Sequence, residues 1–168
     1  EERVPEILFA DLSDTVLELA NWGVLDWKEM SWPTRPPSEN VQKAQDLLIH
    51  LGCLNKEGKI TSHGQEVLSL GIEPRLGHMV LRARGFGLQS VALDMTAYLL
   101  EREVSRELGQ SLKGGRFNSD LCLFLEALHD YRKFGEKAAR KLGVSPFSVK
   151  KVDQTSQKLK HRFLKSFK

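Results

Sequence analysis

The sequence predicts a mainly α-helical protein: a winged helix with a short β-hairpin wing, followed by a helical bundle. Three observations carry this expectation. Apolar residues recur at helical spacing through most of the chain. One polar, glycine-containing turn at 52–61 lies between two short apolar pieces and directly before a helix-start signal, which is a hairpin pattern. Beyond Gly71 the pattern is helical only. The expected domains are 1–71, the winged helix, and 72–168, the bundle.

In 11–22, Leu12, Val16, Leu19 and Ala20 form one apolar stripe, Asp11 is placed to cap the helix and Gly23 follows its end. Trp22, Trp27 and Trp32 surround a turn closed by Pro33, Pro36 and Pro37. No dense basic neighbourhood accompanies them, so core or interdomain packing is expected rather than base stacking. Ser38 is the expected N-cap of a second helix bearing Val41, Ala44, Leu47, Leu48 and Leu51, which stops at Gly52. After the hairpin, Ser62 with Gln65 reads as a capping box opening a third helix with Val67, Leu68 and Leu70 on its apolar side.

The bundle begins with 74–84, carrying Leu76, Met79, Val80 and Ala83, and continues with 88–102, carrying Val91, Met95, Tyr98 and Leu99. The stretch 105–117 holds Gly109, Gly114 and Gly115 and reads as a mobile loop, either a plain connector or a ligand-touching segment. A long helix is expected from Asn118, with Leu121, Leu125 and Leu128 buried, bent near Gly135 and ending at Gly143. Ser145-Pro146 then restarts a helix with Val149, Val152, Leu159, Phe163 and Phe167 on one side. At about 100° per residue, Lys151, Lys158, Arg162 and Lys165 share a narrow adjacent arc of that helix.

Charge is divided unevenly. The net charge is +3, yet 1–130 sums to −7 and 131–168 to +10. Clustered Lys and Arg gain free energy by releasing counterions from a phosphate backbone, so the basic end is either a polyanion-facing surface or a solvated basic face. Cys53 and Cys122 read as reduced core thiols. With no signal peptide and no apolar run long enough for a membrane span, the expected compartment is cytoplasmic. A start at Glu1-Glu2-Arg3 suggests a piece of a longer chain.

Several kinds of chemistry find no support. Gly58-Lys59 is followed by Ile60 and lacks the glycine spacing of a phosphate-binding loop, and Gly85-Phe86-Gly87 has Ser90 at the third glycine position of a dinucleotide fingerprint. His50, Cys53 and His63 lack a fourth ligand for structural zinc. The pairs Glu101/Glu103 and Asp94/Glu101 have no neighbouring nucleophile and read as helix-surface charges. No catalytic residue, metal site or cofactor is expected in this chain.

One ordered set of motifs is more specific: Pro5-Glu6-Ile7, Leu12, Val16-Leu17-Glu18-Leu19, Trp22-Gly23-Val24, Pro36-Pro37, Leu47-Leu48, Leu51-Gly52, Gly58-Lys59-Ile60-Thr61 with Gly64, and Glu73-Pro74-Arg75-Leu76 with Met79. It resembles the region after the two RecA-like domains of DEAH-box helicases. Leu100-Glu101-Arg102-Glu103, Ser119-Asp120-Leu121 and Glu126-Ala127-Leu128 are similar to its HrpB-type bacterial branch. The resemblance implies a winged helix followed by a ratchet-like bundle that helps enclose a single strand of RNA, or of DNA. ATP and Mg would be bound by the RecA-like domains of the same parent chain, which are the other implied partner. Phe9 and His78 stand where many family members have Arg and Lys, so contacts of those groups do not carry over.

Arg75, Arg82, Lys113, Arg116, Lys151, Lys158, Arg162 and Lys165 are the candidate nucleic-acid contacts, acting on phosphates without sequence specificity. Arg75 serves equally well as a helix-start residue. A second function remains open: a free-standing winged-helix DNA-binding protein or protein-interaction adaptor. Direct readout is disfavoured because 62–70 contains no Lys or Arg and includes Glu66.

Overall fold

The computed structural model describes residues 4–101, Val104 and 119–166, with side chains through Leu164. Its contacts divide the chain into two compact units, Glu1–Leu81 and Arg82–Lys168. Both are helical, and no strand occurs among the described residues.

In the first unit, α1 (Ser13–Asn21), α2 (Ser38–His50) and α3 (Ser62–Ser69) are joined by the start of α4 (Pro74–Arg84). The carboxylate of Asp11 accepts from the Ser13 backbone N–H at 2.8 Å and from the Ser13 hydroxyl at 2.6 Å, which orders the entry to α1. The expected stripe of α1 is buried, with Leu17 added to it, and it meets Val41, Ala44 and Leu48 of α2 and Val67 of α3. These residues exclude water together, so each helix gains most of its stability from the others rather than from its own propensity. Trp27 packs against this core and its carbonyl accepts from the Trp32 indole at 2.8 Å. Trp22, by contrast, is exposed.

The β-hairpin wing expected at 52–61 does not form. Leu54 and Ile60 make one isolated antiparallel bridge, flanked by no strand. The reason lies in what the neighbouring residues already do. The N–H groups of Cys53 and Leu54 are bound to the Leu48 carbonyl at 2.8 and 3.2 Å as part of the α2 terminus, and Thr61 caps α3. Only a short turn remains, and the Asn55 side chain tightens it by accepting from the N–H groups of Glu57 and Lys59. Cys53 and Leu54 are core anchors of the unit. The first unit is thus a helical core closed by a bridged turn.

The α3 cap also lies one residue earlier than expected. Thr61, not Ser62, accepts from the Gly64 N–H at 3.0 Å, while its hydroxyl lies 2.7 Å from the Gly52 carbonyl. Gly64 is needed for close approach: a Cβ there would sit 2.2 Å from the Cys53 carbonyl oxygen. The α4 helix crosses close to α3, with His63 Nε2 and His78 Nδ1 hydrogen-bonded at 2.9 Å.

In the second unit, α5 (Gln89–Leu100) packs on α8 (Pro146–Ser166), and α6 (Asp120–Phe134) and α7 (Glu136–Lys141) complete the cluster. Tyr98 and Phe124 meet at 4.7 Å between ring centroids in its centre. The long helix expected from Asn118 is two helices. Gly135 adopts φ 78° and ψ −165°, which ends α6 outright rather than bending it.

The buried face of α5 also departs from expectation. Ala92, Leu93, Thr96, Ala97 and Tyr98 are buried, whereas Val91 and Leu99 are exposed. Apolar residues occur all round this helix, so their periodicity does not select a face. Of the two thiols, Cys53 is buried as expected and Cys122 is exposed.

Candidate nucleic-acid interface

The α8 helix presents two neighbouring faces. Val149, Val152, Ser156, Leu159 and Phe163 are buried against the unit, and Lys151, Lys158 and Arg162 lie beside that stripe as the spacing predicts. The structure shows that this basic face is partly compensated from within. Lys151 Nζ lies 3.0 Å from Glu101 Oε2, and the Thr155 hydroxyl donates to Glu101 Oε1 at 2.7 Å. Burial alone would raise the Glu101 carboxyl. Hydrogen bonds from Thr155 and Lys151, with the charges of Lys151 and Lys158, hold it below its usual value instead. Lys151 and Lys158 are therefore brought together around one carboxylate at the end of α5. Lys158 and Arg162 are exposed.

The other candidates are placed differently. Arg82 is exposed on the last turn of α4. Arg75 belongs to the first unit, where it is exposed and lines an open groove of about 330 Å³ with Phe9, Asn40 and Lys43. Lys43 is paired there with Glu39 at 2.6 Å. Lys113 and Arg116, with the whole 105–117 loop, lie outside the described residues, as does the side chain of Lys165.

Asp94 corrects the surface-charge reading. It is 8% exposed and sits at the centre of an ion network. Arg132 grips it with both terminal nitrogens, Nη1 to Oδ2 at 2.7 Å and Nη2 to Oδ1 at 2.9 Å, while its Nε donates to Asp153 at 2.7 Å. Lys160 Nζ lies 3.2 Å from Asp94 Oδ1, and the Ser156 hydroxyl donates to the same oxygen. Burial pushes the Asp94 carboxyl up, but hydrogen bonds from Arg132 and Ser156 and the charges of Arg132 and Lys160 outweigh it and leave the carboxyl below its ordinary value. Arg132 is correspondingly raised, first by its hydrogen bond to Asp94. Two of the 12 basic residues in 131–168 thus serve the fold, locking α5, α6 and α8. A lone Asp in a largely apolar helix carries no sequence signal of its partners 38 and 62 residues away.

Among the described residues no group of three or more His, Cys, Asp or Glu side chains could hold a metal ion, and no helix is long and apolar enough to cross a membrane. The described residues thus form a helical region with a basic face on its last helix. No family model matches the chain.

Known proteins nevertheless match it. The ATP-dependent RNA helicase HrpB of Escherichia coli strain K12 is 39% identical over 97 residues, covering 58% of this chain and 12% of that protein. The probable ATP-dependent RNA helicase DHR2 of Saccharomyces cerevisiae is 33% identical over 99 residues, covering 59% of this chain and 14% of its own length. Two crystal structures of E. coli HrpB, described as a DExH-box NTPase and as a DEAH/RHA helicase, superpose with TM-scores of 0.60 and 0.62 at 31% and 28% identity. They cover 85% and 96% of this chain and 16% of each HrpB chain. The motif resemblance is supported: this chain is similar to a region of a DEAH-box helicase, and the match covers only 12–14% of the length of these curated relatives.

Proposed function

We propose that this chain is the accessory region of an ATP-dependent RNA helicase, docking on the RecA-like motor through residues 1–71 and touching a single strand, without sequence specificity, through residues 72–168. ATP and Mg then belong to the motor, and the compartment is the cytoplasm. The observation that carries the reading is the likeness to HrpB over 96% of the chain, coupled with a basic face on α8. Lys158 and Arg162 are the leading phosphate contacts of that face, with Lys151 available once its pairing with Glu101 is exchanged for a phosphate. Arg75, Arg82, Lys113, Arg116 and Lys165 extend the path. The absence of Lys and Arg from 62–70 favours docking over duplex readout for α3.

Fluorescence anisotropy with a labelled oligo(U) tests this reading. Binding is expected to be weak, to fall with salt, and to drop at least several-fold for the Lys158→Glu/Arg162→Glu double variant. Wild-type affinity in that variant would remove the α8 face from the proposal.

A further inference from the structure

The basic excess of 131–168 is not confined to the face of α8 described above. Between α6 and α8 the chain makes a compact corner: α6 ends at Phe134, Gly135 turns it, α7 packs on both neighbours through buried Ala139, and Pro146 opens α8. The Val144 N–H returns to the Ala139 carbonyl at 3.1 Å and Val144 is buried, so this corner is part of the packed unit.

Two phenylalanines flank it and turn away from the core, Phe134 with 72% and Phe147 with 77% exposure. Both positions are open to solvent, where a polar residue would be expected, yet each carries an aromatic ring. Around them Lys133, Lys137, Lys141 and Lys150 are all exposed, and none is in an ion pair among the described residues. The only acidic residue in 131–150 is Glu136, already paired with Arg140 at 3.6 Å. The α7 helix between the two rings is six residues, so roughly 9 Å, long.

We propose that this α6–α7–α8 corner is a second single-strand site, in which Phe134 and Phe147 stack on bases and the four lysines hold the adjoining phosphates. It deepens the function proposed above and takes its ligand class from it. Exposed aromatic rings interleaved with unpaired cations match what a single strand presents, a flat base and a phosphate at every step. Stacking is indifferent to base identity, so the site would suit a strand that moves past it. An apolar protein partner would gain from the two rings but would leave four lysines to be desolvated without counter-charge.

The test uses the whole chain and two fluorescent 12-mers at low salt, oligo(U) and an abasic strand of the same charge. Phe134→Ala/Phe147→Ala is expected to weaken oligo(U) by about five-fold or more while leaving the abasic strand unchanged. Phe147→Trp should retain binding, which guards against a folding artefact. Lys137→Glu/Lys141→Glu should weaken both strands and flatten the salt dependence by about 1.4 in log–log slope. Phenylalanine variants that bind both strands like the wild type, or weaken both equally, overturn the site. If Lys158→Glu/Arg162→Glu abolishes binding while the corner variants do not, the α8 reading stands and this inference falls; the converse result leaves the corner and removes the α8 face. A wild-type chain that binds neither strand overturns both.

Discussion

Replacing Asp94 by Ala tests whether its ion network holds the second unit together. The substitution removes the acceptor of two Arg132 hydrogen bonds, one Ser156 hydroxyl and the Lys160 ammonium. Breaking a fully buried pair by removing one partner costs about 3–5 kcal/mol, because the other charge is left without compensation. Here the side chains of Arg132 and Lys160 keep 27% and 24% exposure, and Arg132 retains Asp153. Solvent therefore recovers part of the loss, and we expect about 2–3 kcal/mol. For a unit of this size that corresponds to a fall in Tm of about 10–20 °C. Urea unfolding followed by circular dichroism measures it directly.

The pH dependence has a definite sign. The folded carboxyl titrates below its unfolded value, so its contribution is fully present above the unfolded pKa and is lost as pH falls through the folded one. The stability gap between wild type and variant should be constant near neutrality and close below about pH 4. A loss under about 0.5 kcal/mol at pH 7, the range of ordinary surface substitutions, would refute the reasoning and return Asp94 to the helix surface.

Two further outcomes concern Gly64 and the two cysteines. Gly64→Ala places a Cβ against the Cys53 carbonyl, which belongs to backbone fixed at both ends; a destabilisation of about 1–3 kcal/mol is expected in thermal melts, and an unchanged Tm would contradict the close approach. Cys122 should react with a thiol reagent in the native protein while Cys53 reacts only on unfolding, because Cys53 is buried and burial pushes its thiol up to about 11. Two thiols titrating together in the native state would refute that assignment.

The elements legible in the sequence are those whose apolar residues fall on one side only. The α1 and α2 stripes are buried almost as their spacing requires, since polar residues on the opposite face leave no other choice. On α5 apolar residues surround the helix, and its buried arc takes in the polar Asp94 and Thr96 as well. The Thr96 hydroxyl bonds the Ala92 carbonyl at 2.8 Å, and Asp94 depends on cations from α6 and α8. Such partners are visible only in three dimensions. The turn at 52–61 shows a different limit. Its glycine and flanking apolar pieces mark a chain reversal correctly, but local pattern cannot tell strand residues from the last anchor of one helix and the cap of the next. The α8 stripe was readable as a periodicity; the capture of Lys151 by Glu101, 50 positions away, was not.

On the function proposed above, the strand contacts of this chain concentrate on its second unit. Photo-crosslinking a 4-thiouridine-substituted oligo(U) to the whole chain and mapping the attached peptides tests it most directly. Cross-links are expected in the peptides of 82–168, above all those of α8, with none in α3. Cross-links centred on α3, or attached only to a duplex DNA probe, would contradict it.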